Sequence, residues 1–207
     1  MSKQNRLSVG WVLWLQWVLA GTLGWVVGGA TAGYVYTVME AWLGNAAMIV
    51  GVCVHGAMVG VAQWFVLRRR LARTGWWVLA STAGTVIGAY WSVRYEMMDL
   101  YSGPLYGGRR IELDALLSGA AFGGALAALQ WLALLRRVKG GYWWVLASAV
   151  AHSVGRFTAN AVSMALGKSE LMVVYEVVSG GGSAALTGLA LVWLLRHRIP
   201  NPQESVR

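Results

Sequence analysis

The sequence predicts an all-α fold, a six-transmembrane-helix bundle built from three tandem helical hairpins. Three observations predict it. Hydrophobic residues make up 57% of the 207-residue chain and charged residues only 12%, against about 25% charged in an ordinary soluble domain. Six apolar stretches are near the length of roughly 20 residues that crosses a hydrocarbon core: Val9–Ala30, Ala46–Leu67, Gly75–Val93, Leu113–Leu135, Trp143–Leu166 and Leu171–Leu195. The segment between the second and third stretches also returns, nearly copied, between the fourth and fifth.

The first stretch follows the basic start MSKQNRLS. It is long, rich in Trp and lacks a small-x-small cleavage site, so it reads as a retained helix rather than a secretory signal. The second holds Cys53 and His55. A single cysteine allows no intramolecular disulfide and no thiolate cluster, and a buried Cys behaves as a small hydrophobe. The third begins with WWVLAS, and the fifth begins with the same six residues. The six stretches use most of the chain, so the reading is one integral membrane domain over 1–207, with hairpins at about 9–70, 75–137 and 143–198.

The repeat ties these elements together. GVAQWFVLRRRLARTGWWVLASTAGTVIG (60–88) returns 67 residues later, so that Gln63, Trp64 and Arg69 match Gln130, Trp131 and Arg136. WVLAGTLGWVVGG (17–29) overlays WVLASTAGTVIGA (77–89), and the last stretch ends in LVWLLRHR, a worn copy of QWFVLRR. Parallel repeats of this kind suggest a pseudo-threefold bundle rather than the inverted repeats of many secondary transporters. Small residues recur four apart at Gly24/Gly28, Gly29/Gly33, Gly56/Gly60, Gly84/Gly88, Gly119/Gly123 and Ala151/Gly155. That spacing lets helix backbones approach in lipid, where packing must replace a hydrophobic drive. GGATAG and SGGGS follow no strand and no GK[ST] is present, which makes them poor phosphate-loop candidates.

The QWxxLRR ending, the short turn and WWVLAS resemble hairpin repeats of multi-pass membrane proteins from cyanobacteria and other bacteria. The resemblance covers roughly residues 10–198. It implies a bacterial inner-membrane protein, and it implies no activity, cofactor or functional residue.

The net charge of +9 is laid out by topology. Twelve of the seventeen basic residues (Lys3, Arg6, Arg68, Arg69, Arg70, Arg73, Arg136, Arg137, Lys139, Arg196, Arg198 and Arg207) fall at the termini or the even loops. The odd loops hold Arg94, Arg109, Arg110 and Lys168 with Glu40, Glu96, Asp99, Glu112, Asp114 and Glu170. The positive-inside rule then places both termini in the cytoplasm. The basic clusters would attract anionic headgroups of the bilayer, and no nucleic-acid partner is needed to explain them. Trp11, Trp14, Trp17, Trp64, Trp76, Trp77, Trp131, Trp143, Trp144 and Trp193 all lie near that same boundary, as expected of interfacial anchors.

Because the hairpins are copies, a position that departs from its counterparts marks a task acquired by one copy. His152 stands where the others have Thr85 and Trp25, and Arg156 where they have Ala89 and Gly29. Gln63 and Gln130 recur and read as hydrogen-bonding groups between helices. Ser148, His152, Arg156, Asn160 and Ser163 share one helical face. A charge at bilayer depth costs at least about 2.5–3.5 kcal/mol, so it faces the interior, water or a partner. Glu176 is the expected partner and Tyr175 a neighbouring hydrogen-bonding group. Measured from the edges at Trp143 and Leu195, with 1.5 Å per residue, the two charges differ in depth by about 8 Å. The set reads either as a structural ion pair or as the lining of a site or path for a polar or anionic solute. His55 and His152 lie at similar depth and offer a second alternative, axial ligation of a haem or (bacterio)chlorophyll.

No HExxH, GxSxG or CxxC is present and no intramembrane carboxylate pair, so no hydrolytic chemistry, metal site or other cofactor is indicated. The reading is a non-enzymatic scaffold or accessory subunit of an inner-membrane complex, packing against membrane-protein partners or copies of itself. The alternatives are a small channel or transporter using the fifth-span stripe, and a pigment-binding protein.

Overall fold

The computed structural model describes residues 3–71, 74–102, 109–138, 140–166 and 172–197, with side chains described over 10–71, 74–94, 113–136, 138, 140–166 and 173–196. Arg73, Lys139, Lys168, Glu170, Arg198 and Arg207 lie outside the described residues. So do the side chains of Lys3, Arg6, Glu96, Asp99, Arg109, Arg110, Glu112 and Arg137.

Among the described residues six α-helices follow one another: α1 (Lys3–Leu43), α2 (Ala46–Leu67), α3 (Trp76–Ser102), α4 (Arg109–Ala133), α5 (Trp143–Ala165) and α6 (Met172–His197). A 3₁₀ turn, Leu135–Arg137, follows α4. Among the described residues there is no strand. Each helix covers nearly all of its apolar stretch, but α1 continues 13 residues past Ala30 to Leu43, α3 nine residues past Val93 to Ser102, and α4 starts four residues before Leu113. Gly44 takes a left-handed φ of +52°, and its N–H returns to the Glu40 carbonyl at 2.8 Å. That is the helix stop that glycine provides without steric cost.

Among the described residues four helical segments are long and apolar enough to cross a membrane: Gly10–Leu43, Ala46–Leu67, Leu113–Ala133 and Val173–Arg196. The stretches in α3 and α5 do not reach that mark, although both are helices where the sequence predicts them. The reason is composition. α5 carries Ser148, His152, Arg156, Asn160 and Ser163, and α3 is diluted by Trp, Tyr, Ser and Thr.

The helices form a closed ring, each packing on its chain neighbours and α6 packing on α1. Two sets of small residues make the contacts. On the α1–α2, α3–α4 and α5–α6 side, a methyl added at Gly24 would lie 3.0 Å from Val59 Cα, at Gly84 2.7 Å from Leu126 Cα, and at Gly155 2.6 Å from the Ser179 carbonyl. On the α2–α3 and α4–α5 side, Gly56 faces Thr82 and Thr85, Gly60 faces Val78 and Ser81, and Gly119 and Gly123 face Ser148, His152 and Ser153. Gly21 and Ala184 meet across α1 and α6. Gly29/Gly33 is the exception: nothing lies within 4 Å of Gly33, and Gly29 faces the Glu176 carboxyl instead of a backbone.

The repeat appears as a threefold layer on the ring axis. Trp17, Trp77 and Trp144, the same position in three copies, are fully buried, with ring centroids 5.8–6.0 Å apart. Each indole N–H has an acceptor: Gln63 Oε1 for Trp77 (3.0 Å), Gln130 Oε1 for Trp144 (3.0 Å) and Thr187 Oγ1 for Trp17 (3.1 Å). Leu67, Leu135 and Leu194 pack in the same buried cluster.

This corrects two expectations. Three of the ten boundary tryptophans are core, because adjacent residues on a helix point about 100° apart. Trp76 and Trp143 face outward while Trp77 and Trp144 face the axis, and Trp11 and Trp193 remain exposed. The third partner of the glutamine position is also Thr187, five residues before Val192, where the LVWLLRHR overlay would place it. The third copy of the α2–α3 and α4–α5 unit is therefore α6 with α1, the two ends of the chain.

Candidate functional site

Beyond the tryptophan layer, away from the chain termini, the axis becomes polar. A cavity of about 10 Å³ is lined by Trp25, Gln63, Gln130, Ser148, His152 and Thr187, among others. That is about the space one water requires. Gln130 donates to Ser81 Oγ at 3.0 Å and Thr187 to the Ser183 carbonyl at 2.8 Å, whereas Ser148 Oγ is buried without a hydrogen-bond partner. His152 Nδ1 lies 2.8 Å from the Ser148 carbonyl. A carbonyl only accepts, so Nδ1 carries the hydrogen.

Above this lies a larger cavity of about 230 Å³, lined by Trp25, Ala89, Ser92, Val93, Phe122, His152, Arg156, Tyr175, Glu176 and Ser179. The repeat explains its composition. Small residues on the other copies, Gly29 and Ala89 opposite Arg156, leave the room that the third copy fills with charge. Arg156 Nη1 donates to Ser92 Oγ at 2.9 Å, and Ser92 donates in turn to the Ser118 carbonyl at 3.2 Å. The guanidinium is thus tied across the ring to α3 and α4. Glu176 lies along the bare backbone of Gly29, its Oε1 2.9 Å from where a Cβ would stand. Its Oε2 is buried without a hydrogen-bond partner, and the positive charge of Arg156 acts on its carboxyl.

Arg156 and Glu176 therefore meet in one cavity, and the expected depth difference of about 8 Å falls away. Taken from the tryptophan layer instead of from helix ends, Arg156 is 12 residues beyond Trp144 and Glu176 11 residues beyond Thr187. At 1.5 Å per residue those depths are about 18 and 16 Å. The edges were unequal references because α6 runs further past the layer at its C-terminal end.

Of the predicted residues, His152, Arg156, Tyr175 and Glu176 line the larger cavity, and Ser148 lines the smaller one below it. Asn160 and Ser163 are partly buried further along α5 and line neither. His55 does not join the charged set: its ring packs edge-on against Trp25 at 4.8 Å, and His152 packs on the same indole at 5.9 Å. His55 Nε2 is buried without a partner. Among the described residues no group of three His, Cys, Asp or Glu is placed to hold a metal ion. Cys53 is a partly buried free thiol.

Sequence reasoning missed Trp25, Phe122, Ser179 and above all Ser92, which holds Arg156. Its signal was present: Ser92 stands where the other copies have Ala32 and Ala159, the same kind of departure that singled out Arg156. A scan against protein-family models, a search of curated proteins and a search of solved structures each found no match.

Proposed function

We propose that the chain is a six-span protein of a bacterial inner membrane with cytoplasmic termini, whose ring interior receives a small polar or anionic solute from the opposite side. The role is non-enzymatic binding or passage. The ring supports six spans, because α3 and α5 stand in it as equal members between helices apolar enough to cross. The layout of basic residues supports the orientation: Arg68, Arg69, Arg70, Arg136 and Arg196 are exposed at the termini end, where anionic headgroups attract them.

The observation that carries the solute reading is the pairing of a charged cavity with an indole layer. Opposite charges sit about 16–18 Å beyond three packed tryptophans, in a space larger than the 150 Å³ pocket that holds benzene. A structural lock needs no such room. Most of the small-residue faces pack inside the ring, as a self-packed scaffold would also have them, so the charged cavity is what favours the solute reading over the scaffold.

Cysteine accessibility in membranes tests this. In a Cys53→Ala background, Ala89→Cys should react with a membrane-impermeant thiol reagent from the side opposite the termini, and Ala127→Cys, in the core, should stay unreacted. An unreactive Ala89→Cys on both sides would overturn the reading. A stoichiometric partner co-purifying with such a closed protein would restore the scaffold, and a coloured preparation the pigment-binding alternative.

A further inference from the structure

We infer that the solute is a small zwitterion, a molecule carrying one carboxylate and one ammonium group, held between Arg156 and Glu176. This rests on the solute reading above and specifies its chemical class.

The two charges decide the class. Arg156 and Glu176 line one cavity and carry formal charges of opposite sign. A lone anion would face Glu176 and a lone cation would face Arg156, in surroundings where a like-charge contact is poorly screened. A zwitterion meets both with opposite sign.

The donor and acceptor inventory agrees. A guanidinium has five N–H donors in a fixed fork that matches a carboxylate, and Arg156 Nη1 gives one of them to Ser92 Oγ. Glu176 Oε2 is buried and accepts no hydrogen bond, and an ammonium group brings three donors. Glu176 is also kept on its own side of the cavity, because its carboxyl rests on Gly29, where any larger residue would displace it.

The remaining walls suit a short carbon chain between two charged ends. Trp25 and Phe122 form an aromatic side with centroids 5.8 Å apart, which packs methylenes and favours a nearby cation. Tyr175, Ser179 and Ser92 complete the polar side. His152, also in the lining, donates through Nδ1 to its own helix.

Calorimetry on the full-length protein in nanodiscs tests the inference with glycine, β-alanine, 4-aminobutyrate and 5-aminovalerate, against butyrate and butylammonium. At least one amino acid of the series should bind ten-fold or more tightly than both single-charge probes. Glu176→Gln should lower that affinity at least ten-fold while leaving butyrate binding unchanged or stronger, a split that a general loss of fold would not produce. The wild-type comparison decides the matter even if that variant fails to fold. Butyrate binding as tightly as the amino acids would overturn the zwitterion, as would no binding in the series by a protein whose Ala89→Cys is labelled. Failure of that labelling overturns the underlying solute reading instead.

Discussion

Gln130 does two jobs in the ring, accepting the Trp144 indole N–H and donating to Ser81 Oγ. Its counterpart Gln63 accepts from Trp77. Hydrogen bonds between membrane helices average about 0.6 kcal/mol and reach about 1.7. Gln130→Leu should therefore cost about 1–2 kcal/mol in reversible detergent unfolding, and Gln63→Leu about half as much. The reverse order would contradict the assignment of two bonds to Gln130. At the cavity, Arg156→Ala leaves Ser92 with an unused acceptor and Glu176 without its compensating charge. Adding Glu176→Gln should recover part of the lost unfolding free energy, because the stranded carboxylate is the costly remnant. Recovery of folding together with loss of solute binding separates a site from a lock. Arg156 was legible as a residue foreign to its repeat position, and Glu176 as the charge in the next apolar stretch that could partner it. Ser92 was legible by the same rule as Arg156 but is a less conspicuous departure, one hydroxyl added to the alanine methyl of its counterparts.

At the scale of the helix, small residues four apart do unequal work. A methyl on Gly88 would stand 2.9 Å from the Phe122 carbonyl and 3.1 Å from its Cα, so α3 and α4 must separate to admit it. Overpacking of that kind costs about 1–3 kcal/mol. Gly33 has nothing within 4 Å, and Gly33→Ala should change stability by no more than about 0.5 kcal/mol. Equal losses in thermal unfolding of the two variants would refute the ring contacts. Spacing alone showed both pairs as interfaces, because periodicity identifies a face but not the neighbour opposite it. The same limit explains the tryptophans. WW at 76–77 and 143–144 reads as one boundary signal, yet the helical turn sends one indole of each pair outward and the other to the axis. The polar residues that lower the hydropathy of α3 and α5 include Ser81, Thr85, Ser92, Ser148 and His152, all buried in the ring.

For the whole molecule, closure is what creates an interior. The sequence repeat made two inter-hairpin units visible, α2–α3 and α4–α5, and left the third divided between the chain ends. No linear comparison joins Thr187 to Trp17, which are 170 residues apart. Packing does, and it also brings Gly10 against Arg196 at the termini end. An open arc of six helices would expose the tryptophan layer and the charged cavity to lipid, at the cost of several kcal/mol for an unscreened charge.

A cross-link between α1 and α6 tests that closure most directly. The Cβ position of Gly181 lies 4.0 Å from Thr22 Cβ, inside the range of about 3.5–4.5 Å that a disulfide spans. In the Cys53→Ala background, the double variant Thr22→Cys with Gly181→Cys should form an intramolecular disulfide under mild oxidation in the membrane, seen as a mobility shift reversed by reductant. A chain that stays reduced, or that links only to other copies of itself, would contradict the closed ring and the interior site with it.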